Sequence, residues 1–254
     1  MIIEQFNDGY AICADSTSID TINAIHDITG DVPLIIADPP YGNIVSESWD
    51  KTCEQDNNFA QWMTCWVNDW SIKCLVPGGA FYVWGGIGKP GFRPFFHFLT
   101  QVEHNTPMQM ANLITWKKKR AIGTKHNYLF TREECAYLIK GEIKKPHLFN
   151  IPLLDEKRGY AGFNKKYPAK SEYYRRTNVW TDINELFQGK VHPTQKTQRL
   201  HEVMISIHTN PGDYVIDPFA GSGVTAFACK KLGRKFVVIE QNKIYFDDLI
   251  KRLS

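Results

Sequence analysis

The sequence predicts an α/β fold built on a doubly wound, mostly parallel sheet. Three observations carry this. Short, wholly apolar runs recur along the chain, and several end in an acid. Stretches with apolar residues at helical spacing separate them. A glycine-rich turn joins one such run to a helix near the C-terminus. Wholly apolar strands belong to parallel sheets covered on both faces, because both of their faces are buried.

The elements follow in order. "YAICADS" is a strand ending at Asp15, and a helix is expected from about Ile19 to Ile28. "PLIIAD" is a second strand, stopped at Asp38 by Pro39 and Pro40. After a polar loop, "FAQWMTCWVNDWSIKCL" spaces Phe59, Trp62, Met63, Trp66, Val67 and Trp70 as one helix face, so its tryptophans read as core packing. "PGG" breaks the chain before a strand "AFYVWGG". A helix over about Pro94–Val102 and strands at "NLITW" and "CAYLIKG" come next. From Glu142 to Lys190 the periodicity fades, and the segment reads as an irregular insertion. Order returns with a helix that aligns Leu200, Val203, Met204 and Ile207. "YVIDPFAGSGVTAFACKKLG" reads strand, glycine loop and helix, with Gly233 as its C-cap. "KFVVIE" is a strand ending in Glu240, and a last helix covers about Lys243–Leu253.

With 254 residues, 43% of them hydrophobic, the chain can form one large core or one core with an insertion. No apolar run reaches the roughly 20 residues that span a bilayer. "MIIEQFNDGY" has the form of no secretory signal. The six cysteines (Cys13, Cys53, Cys65, Cys74, Cys135 and Cys229) form no C-x-x-C pair, so the expectation is reduced thiols in the cytoplasm and no metal site. The net charge of +3 hides an asymmetry. Lys117 to Arg176 holds sixteen Lys/Arg and six Asp/Glu, a local +10, while the remainder carries −7. A basic middle in an acidic chain suits a polyanionic partner; a solvated surface loop is the alternative.

Two stretches carry chemistry. In "DPFAGSG", Gly221 and Gly223 permit positive φ and close approach, and the start of the following helix presents N–H groups to a polar or anionic ligand. Glu240, at the tip of the next strand, can accept from both hydroxyls of a ribose. Together they describe a nucleoside-containing cofactor across the strand ends; a tight turn with Glu240 at the surface is the alternative. The spacing is neither that of a P-loop nor G-x-G-x-x-G, which lowers the odds of ATP or NAD. The second stretch is "ADPPYG" (37–42), a rigid strand end with an acid and an aromatic, or simply a strand stop and turn.

In that order, "ADPPYG", "HPTQK" and "DPFAGSG" resemble the DNA amino-methyltransferases that use S-adenosylmethionine, specifically their β class, in which the cofactor loop comes last. The resemblance covers most of the chain outside Glu142–Lys190. It implies a circularly permuted, seven-stranded Rossmann-like sheet that begins at the third strand of the unpermuted order and ends after the helix following the second. On this reading residues 1–140 are a catalytic half, 141–190 a target-recognition insertion and 191–254 a cofactor half, the two halves forming one domain. Thr197 stands where the family usually has Pro, Val224 replaces the first of two threonines, and "IEQN" departs from the usual acid motif.

The resemblance also assigns roles. Asp38 and the Pro39 carbonyl accept N–H groups of an exocyclic amine, Pro39 and Pro40 keep that backbone rigid, and Tyr41 stacks on a base flipped from the duplex. Asp217, Phe219, Ala220, Gly221, Ser222, Gly223 and Thr225 line the cofactor, Glu240 binds its ribose and Asp15 approaches its adenine. Lys196, with His192 and Thr194 nearby, positions the methionine carboxylate; His192 reads equally well as a structural histidine. Lys117, Lys118, Lys119 and Arg120 follow a strand and grip phosphates. Arg158, Lys165, Lys166, Arg175 and Arg176 are further DNA contacts, or solvated charges. The implied reaction is methylation of adenine N6 in double-stranded DNA, since cytosine-N4 members more often carry Ser where Asp38 stands. N4-cytosine, an RNA amine and a catalytically silent binding subunit are the alternatives. Implied associations are a homodimer and a cognate restriction endonuclease, in a prokaryotic or phage-infected cytoplasm, with no membrane partner.

Overall fold

The computed structural model describes residues 1–40, 56–85, 93–123, 125–126, 128–157, 171–184 and 196–254. Among them the strands are β1 (Ile2–Phe6), β2 (Gly9–Cys13), β3 (Val32–Ala37), β4 (Leu75–Gly85), β5 (Met108–Ile122), β6 (Phe130–Lys140), β7 (Leu153–Lys157), β8 (Tyr173–Arg175), β9 (Val179–Trp180), β10 (Tyr214–Asp217) and β11 (Lys235–Ile239). The helices are α1 (Ile19–Thr29), α2 (Asp56–Cys74), α3 (Arg93–Asn105), α4 (Gln198–His208), α5 (Val224–Leu232) and α6 (Lys243–Leu253).

One sheet runs β1-β2-β11-β10-β3-β4-β6-β5-β9. From β2 to β4 all pairs are parallel; β6 is antiparallel to both β4 and β5. The seven strands from β2 to β5 therefore follow the permuted order expected, with β2 beside β11. Two short strands lie outside that expectation. β1 forms a hairpin with β2 through Asn7 and Asp8, and β9 pairs with β5. Between β6 and α4 the chain also forms an antiparallel ribbon, β7–β8.

α1, α2 and α3 cover one face and α4, α5 and α6 the other, which is why the central strand β3 is buried at every residue. Pro33 is tolerated there because the β3–β4 register shifts between Val32 and Leu34, so a missing N–H breaks no regular ladder. "PGG" is less of a break than expected: β4 is continuous from Leu75 to Gly85, kinked at Gly78 (φ 74), and its regular ladder resumes at Ala80. A Cβ on Gly78 would lie 2.6 Å from the His147 nitrogen and the Lys145 carbonyl oxygen, so the start of the insertion crosses where no side chain fits.

The α2 tryptophans do pack the core. Trp66 and Trp70 are buried, and the Trp70 indole donates to the Ser16 carbonyl at 3.0 Å, tying α2 to the turn after β2. On the other face the Tyr82 hydroxyl meets His208 Nε2 at 2.9 Å, and His208 Nδ1 contacts the Leu148 carbonyl at 3.0 Å. Burial pulls the His208 imidazole down to about 4, so it stays neutral and pins the insertion's first turn to β4 and α4. No helix among the described residues is long and apolar enough to cross a membrane.

Candidate active site

Parallel strands bring their C-terminal ends to one edge. Four neighbours, β2, β11, β10 and β3, each deliver an acid there: Asp15, Glu240, Asp217 and Asp38. Strand order reverses at β10 and β3, the place where α/β sheets open a crevice for ligands.

The glycine loop is held by specific contacts. Ala220 N–H donates to the Ile239 carbonyl at 2.8 Å, and Gly221 N–H to Glu240 Oε2 at 2.9 Å. The other Glu240 oxygen accepts from Asn242 N–H at 2.8 Å. Burial nevertheless raises the Glu240 carboxyl above its ordinary value, against these two hydrogen bonds. Gly221 (φ 49) and Gly223 (φ 77) take left-handed conformations. A Cβ on Gly223 would lie 2.1 Å from Leu249 Cδ1, so a side chain there would have to displace that methyl as well as adopt a left-handed backbone. Phe219 and Gly221 are partly exposed, and the Phe219 ring meets Trp66 edge-on at 5.1 Å.

Asp217 and Thr225 do not line the open side of this loop, contrary to expectation. They are buried and bonded to one another beneath it. Asp217 Oδ1 accepts Phe219 N–H at 2.9 Å, Thr225 Oγ1 bonds Asp217 Oδ2, and Thr225 Oγ1 meets His201 Nδ1 at 2.9 Å. Burial is the main cause that raises the Asp217 carboxyl to about 7, against its bonds to Thr225 and Phe219 and with the charges of Asp38 and Glu240 behind it. Burial, then the Lys196 charge, pulls His201 down to about 3. The chain Asp217–Thr225–His201 is thus a buried support that sequence reading missed; His201 lies one turn before Met204 and Ile205 on the buried side of α4, and that spacing was its only signal. Ser222 is also buried, and its carbonyl accepts from Arg252 at 2.6 Å. Asp15 is exposed and accepts from the Thr17 N–H and hydroxyl at 2.9 and 2.8 Å, which ties it into the turn before α1.

Beside the loop, Asp38 is partly buried and Pro39 is buried. Lys196 Nζ donates to both Asp38 oxygens at 2.8 Å, and lies 3.1 Å from Glu133 Oε2 and 5.2 Å from the Trp84 ring centroid. Lys118 pairs with the other Glu133 oxygen. Burial alone would lower the Lys196 ammonium, but Asp38 and Glu133 outweigh it and hold it above its ordinary range. Burial would likewise raise Glu133; Lys196 and Lys118 overcome this and hold it below its ordinary range. Lys196 thus sits on the acid of the Asp-Pro-Pro motif, where a partner for a methionine carboxylate was expected. Glu133 was not anticipated at all.

The basic residues divide. Lys117–Arg120 lies within β5 and does not follow it, so side chains alternate: Lys117 and Lys119 are exposed, while Lys118 turns in to Glu133. Lys118 is therefore an internal ion-pair partner and not a free phosphate contact. Arg175 is exposed on β8. Arg176 holds Asp182 through two bonds of 2.6 and 2.7 Å, with its guanidinium 5.6 Å from the Trp180 ring centroid and its side chain only 4% exposed. That packing removes it from the DNA contacts expected. Tyr41, His192, Thr194, Arg158, Lys165 and Lys166, and the Arg120 side chain, lie outside the described residues. Among the described residues no cluster of three or more His, Cys, Asp or Glu could hold a metal.

This geometry has close counterparts. A family model described as "DNA methylase" matches residues 32–252. The chain is 30% identical over 240 residues to the type II methyltransferase M2.LlaDCHI of Lactococcus lactis subsp. cremoris, covering 87% of this chain and 81% of that one. It is 29% identical over 231 residues to the type II methyltransferase M.HpaI of Haemophilus parainfluenzae, covering 88% and 68%. Among solved structures, the M1.HpyAVI–SAM complex is 26% identical with a TM-score of 0.64, over 96% of this chain and 98% of that one. The cytosine-N4-specific PvuII DNA methyltransferase shares the fold at 17% identity, with a TM-score of 0.73 over 98% and 87% of the two chains.

Proposed function

The chain belongs to the DNA methylase family, and from that premise we propose that it transfers a methyl group from S-adenosylmethionine to the N6 amine of an adenine in a specific duplex sequence. The observation that carries this reading is Asp38 at the end of β3, beside the glycine loop of β10 and held by Lys196. An acid stands at this position where cytosine-directed members more often have Ser.

The residues present fit the cofactor. Each Glu240 oxygen holds one backbone N–H and keeps a lone pair for a ribose hydroxyl, while Gly221, partly exposed and without a side chain, lets a ligand approach the loop backbone. S-adenosylmethionine supplies an electrophilic sulfonium methyl when bound. The protein's task is to prepare the amine, whose lone pair is delocalised into the ring. Asp38 accepts one N–H as positive charge develops on nitrogen, and the Pro39 carbonyl accepts the other. Lys196 keeps the Asp38 carboxylate oriented. Holding amine and methyl in line supplies much of the rate. Tyr41 stacks on the flipped base, and His192 and Thr194 join the cofactor site. Lys117, Lys119 and Arg175 grip phosphates, together with Arg120, Arg158, Lys165 and Lys166. The reading includes 141–190 as the recognition insertion, a homodimer and a cognate restriction endonuclease.

Labelled cofactor and mixed-sequence duplex DNA test the reading after digestion to nucleosides. N6-methyladenine is expected, and Asp38→Ala should abolish it. N4-methylcytosine in its place would overturn the choice of base. Undiminished methylation by Asp38→Ala would overturn the mechanism.

A further inference from the structure

We propose that Glu133 is a positioning residue for methyl transfer, acting on Asp38 through Lys196. The proposal rests on the role given to Asp38 above. Glu133 lies on β6, two strands away from β3 in the sheet, yet its carboxylate is shared between Lys196 and Lys118. The four groups Asp38, Lys196, Glu133 and Lys118 form an alternating, neutral row. Lys196 commits two short hydrogen bonds to Asp38. Its contact with Glu133 is longer, at 3.1 Å, and acts on the ammonium first through charge and second through a hydrogen bond.

Charge is therefore what Glu133 chiefly contributes. An ammonium facing Asp38 alone draws on the carboxylate with its whole charge and weakens it as an acceptor for the incoming amine. A second carboxylate behind the ammonium divides that pull, and the low dielectric of a buried site keeps the effect large. Glu133 thereby keeps the Asp38 carboxylate a stronger hydrogen-bond acceptor for the amine, while Lys196 still fixes its direction. Glu133 faces Lys196 and Lys118 and acts through them, so its influence should appear in turnover and not in binding.

The test is Glu133→Gln, which keeps shape and an acceptor and removes charge. Steady-state methylation should show kcat down about tenfold, with KM for S-adenosylmethionine and for DNA within about twofold of the parent. Glu133→Asp, which keeps the charge one methylene further off, should lose only about threefold. In an Asp38→Asn background, Glu133→Gln should change the remaining kcat by less than about twofold, because its effect runs through the Asp38 charge. Should the Gln protein fail to fold, the same cycle with Glu133→Asp decides. A parental kcat in Glu133→Gln, equal losses in the Gln and Asp variants, or losses that multiply with Asp38→Asn would each overturn the proposal. Asp38→Asn at the parental rate would instead overturn the role of Asp38, so the two failures are separable.

Discussion

Asp217→Asn should stabilise the cofactor-free protein by an amount that grows as pH rises from about 4 and levels off above about 7. The structure explains why. Asp217 is buried, and its folded carboxyl is raised from 3.8 to about 7, chiefly by burial. An unfolded Asp217 loses its proton near pH 4, whereas the folded one keeps it to about pH 7. Between these values the folded protein binds the extra proton, so stability falls as pH rises. The group's contribution is complete below 3.8 and is lost as pH passes through about 7. Converted at about 1.4 kcal/mol per pH unit, the ceiling is roughly 4 kcal/mol. Asn imitates the protonated acid: its oxygen can accept Phe219 N–H, and its amide can donate to Thr225, which then donates to His201. Half of that ceiling should raise Tm by about 4–8 °C in a chain of this size. Melting curves of parent and variant at pH 5, 6.5 and 8 are the assay, read as differences. That reading cancels His201 and His208, whose lowered values of about 3 and about 4 act oppositely, costing stability as pH falls below the ordinary 6.5. A Tm difference that does not grow with pH would refute a carboxyl held neutral by burial.

Two further outcomes can be checked directly. Gly223→Ala should lower Tm and weaken S-adenosylmethionine binding measured by calorimetry, since a left-handed φ of 77° costs about 1–2 kcal/mol for a residue with a Cβ and Leu249 blocks the space. Adding Leu249→Ala should return only part of the binding, because it relieves the clash and not the backbone. Lys117→Ala should reduce the slope of log K against log salt for duplex DNA by about one, with Tm unchanged. Arg176→Ala should leave that slope unchanged and lower Tm by about 2–4 °C, the equivalent of about 1 kcal/mol for a bidentate pair stacked on an aromatic ring.

What could be read in advance was local. The strands β2, β3, β10 and β11 announce themselves because a strand buried on both faces must be apolar throughout. The loop at Gly221–Gly223 is legible because a left-handed backbone excludes most side chains. β1 and β9 were missed because they are short and mostly exposed, so little burial marks their residues; Trp180 alone is buried. Lys118 was misread because the basic run continues β5 where it was expected to follow the strand, and strand alternation turns every second residue inward. Arg176 was misread because its composition matches that of a DNA contact and only packing reveals Asp182 and Trp180. Glu133 carried one faint signal, an acid pair, Glu133–Glu134, opening a buried strand.

The sequence by itself determined the layered α/β architecture and the two loops that end β3 and β10, because periodicity and backbone constraint are properties of neighbouring residues; the permuted order followed from the resemblance that three motifs in their order carry. The partners of those loops were decided only by the tertiary structure. Asp38 and Lys196 are 158 residues apart, and nothing local couples them. Folding brings them within hydrogen-bonding distance, and the buried Lys196 ammonium is then met by two carboxylates, Asp38 and Glu133. Burial also set Asp217, expected in the cofactor site, beneath the loop and raised its carboxyl to about 7. Charge in this site is set by surroundings that the linear order does not record.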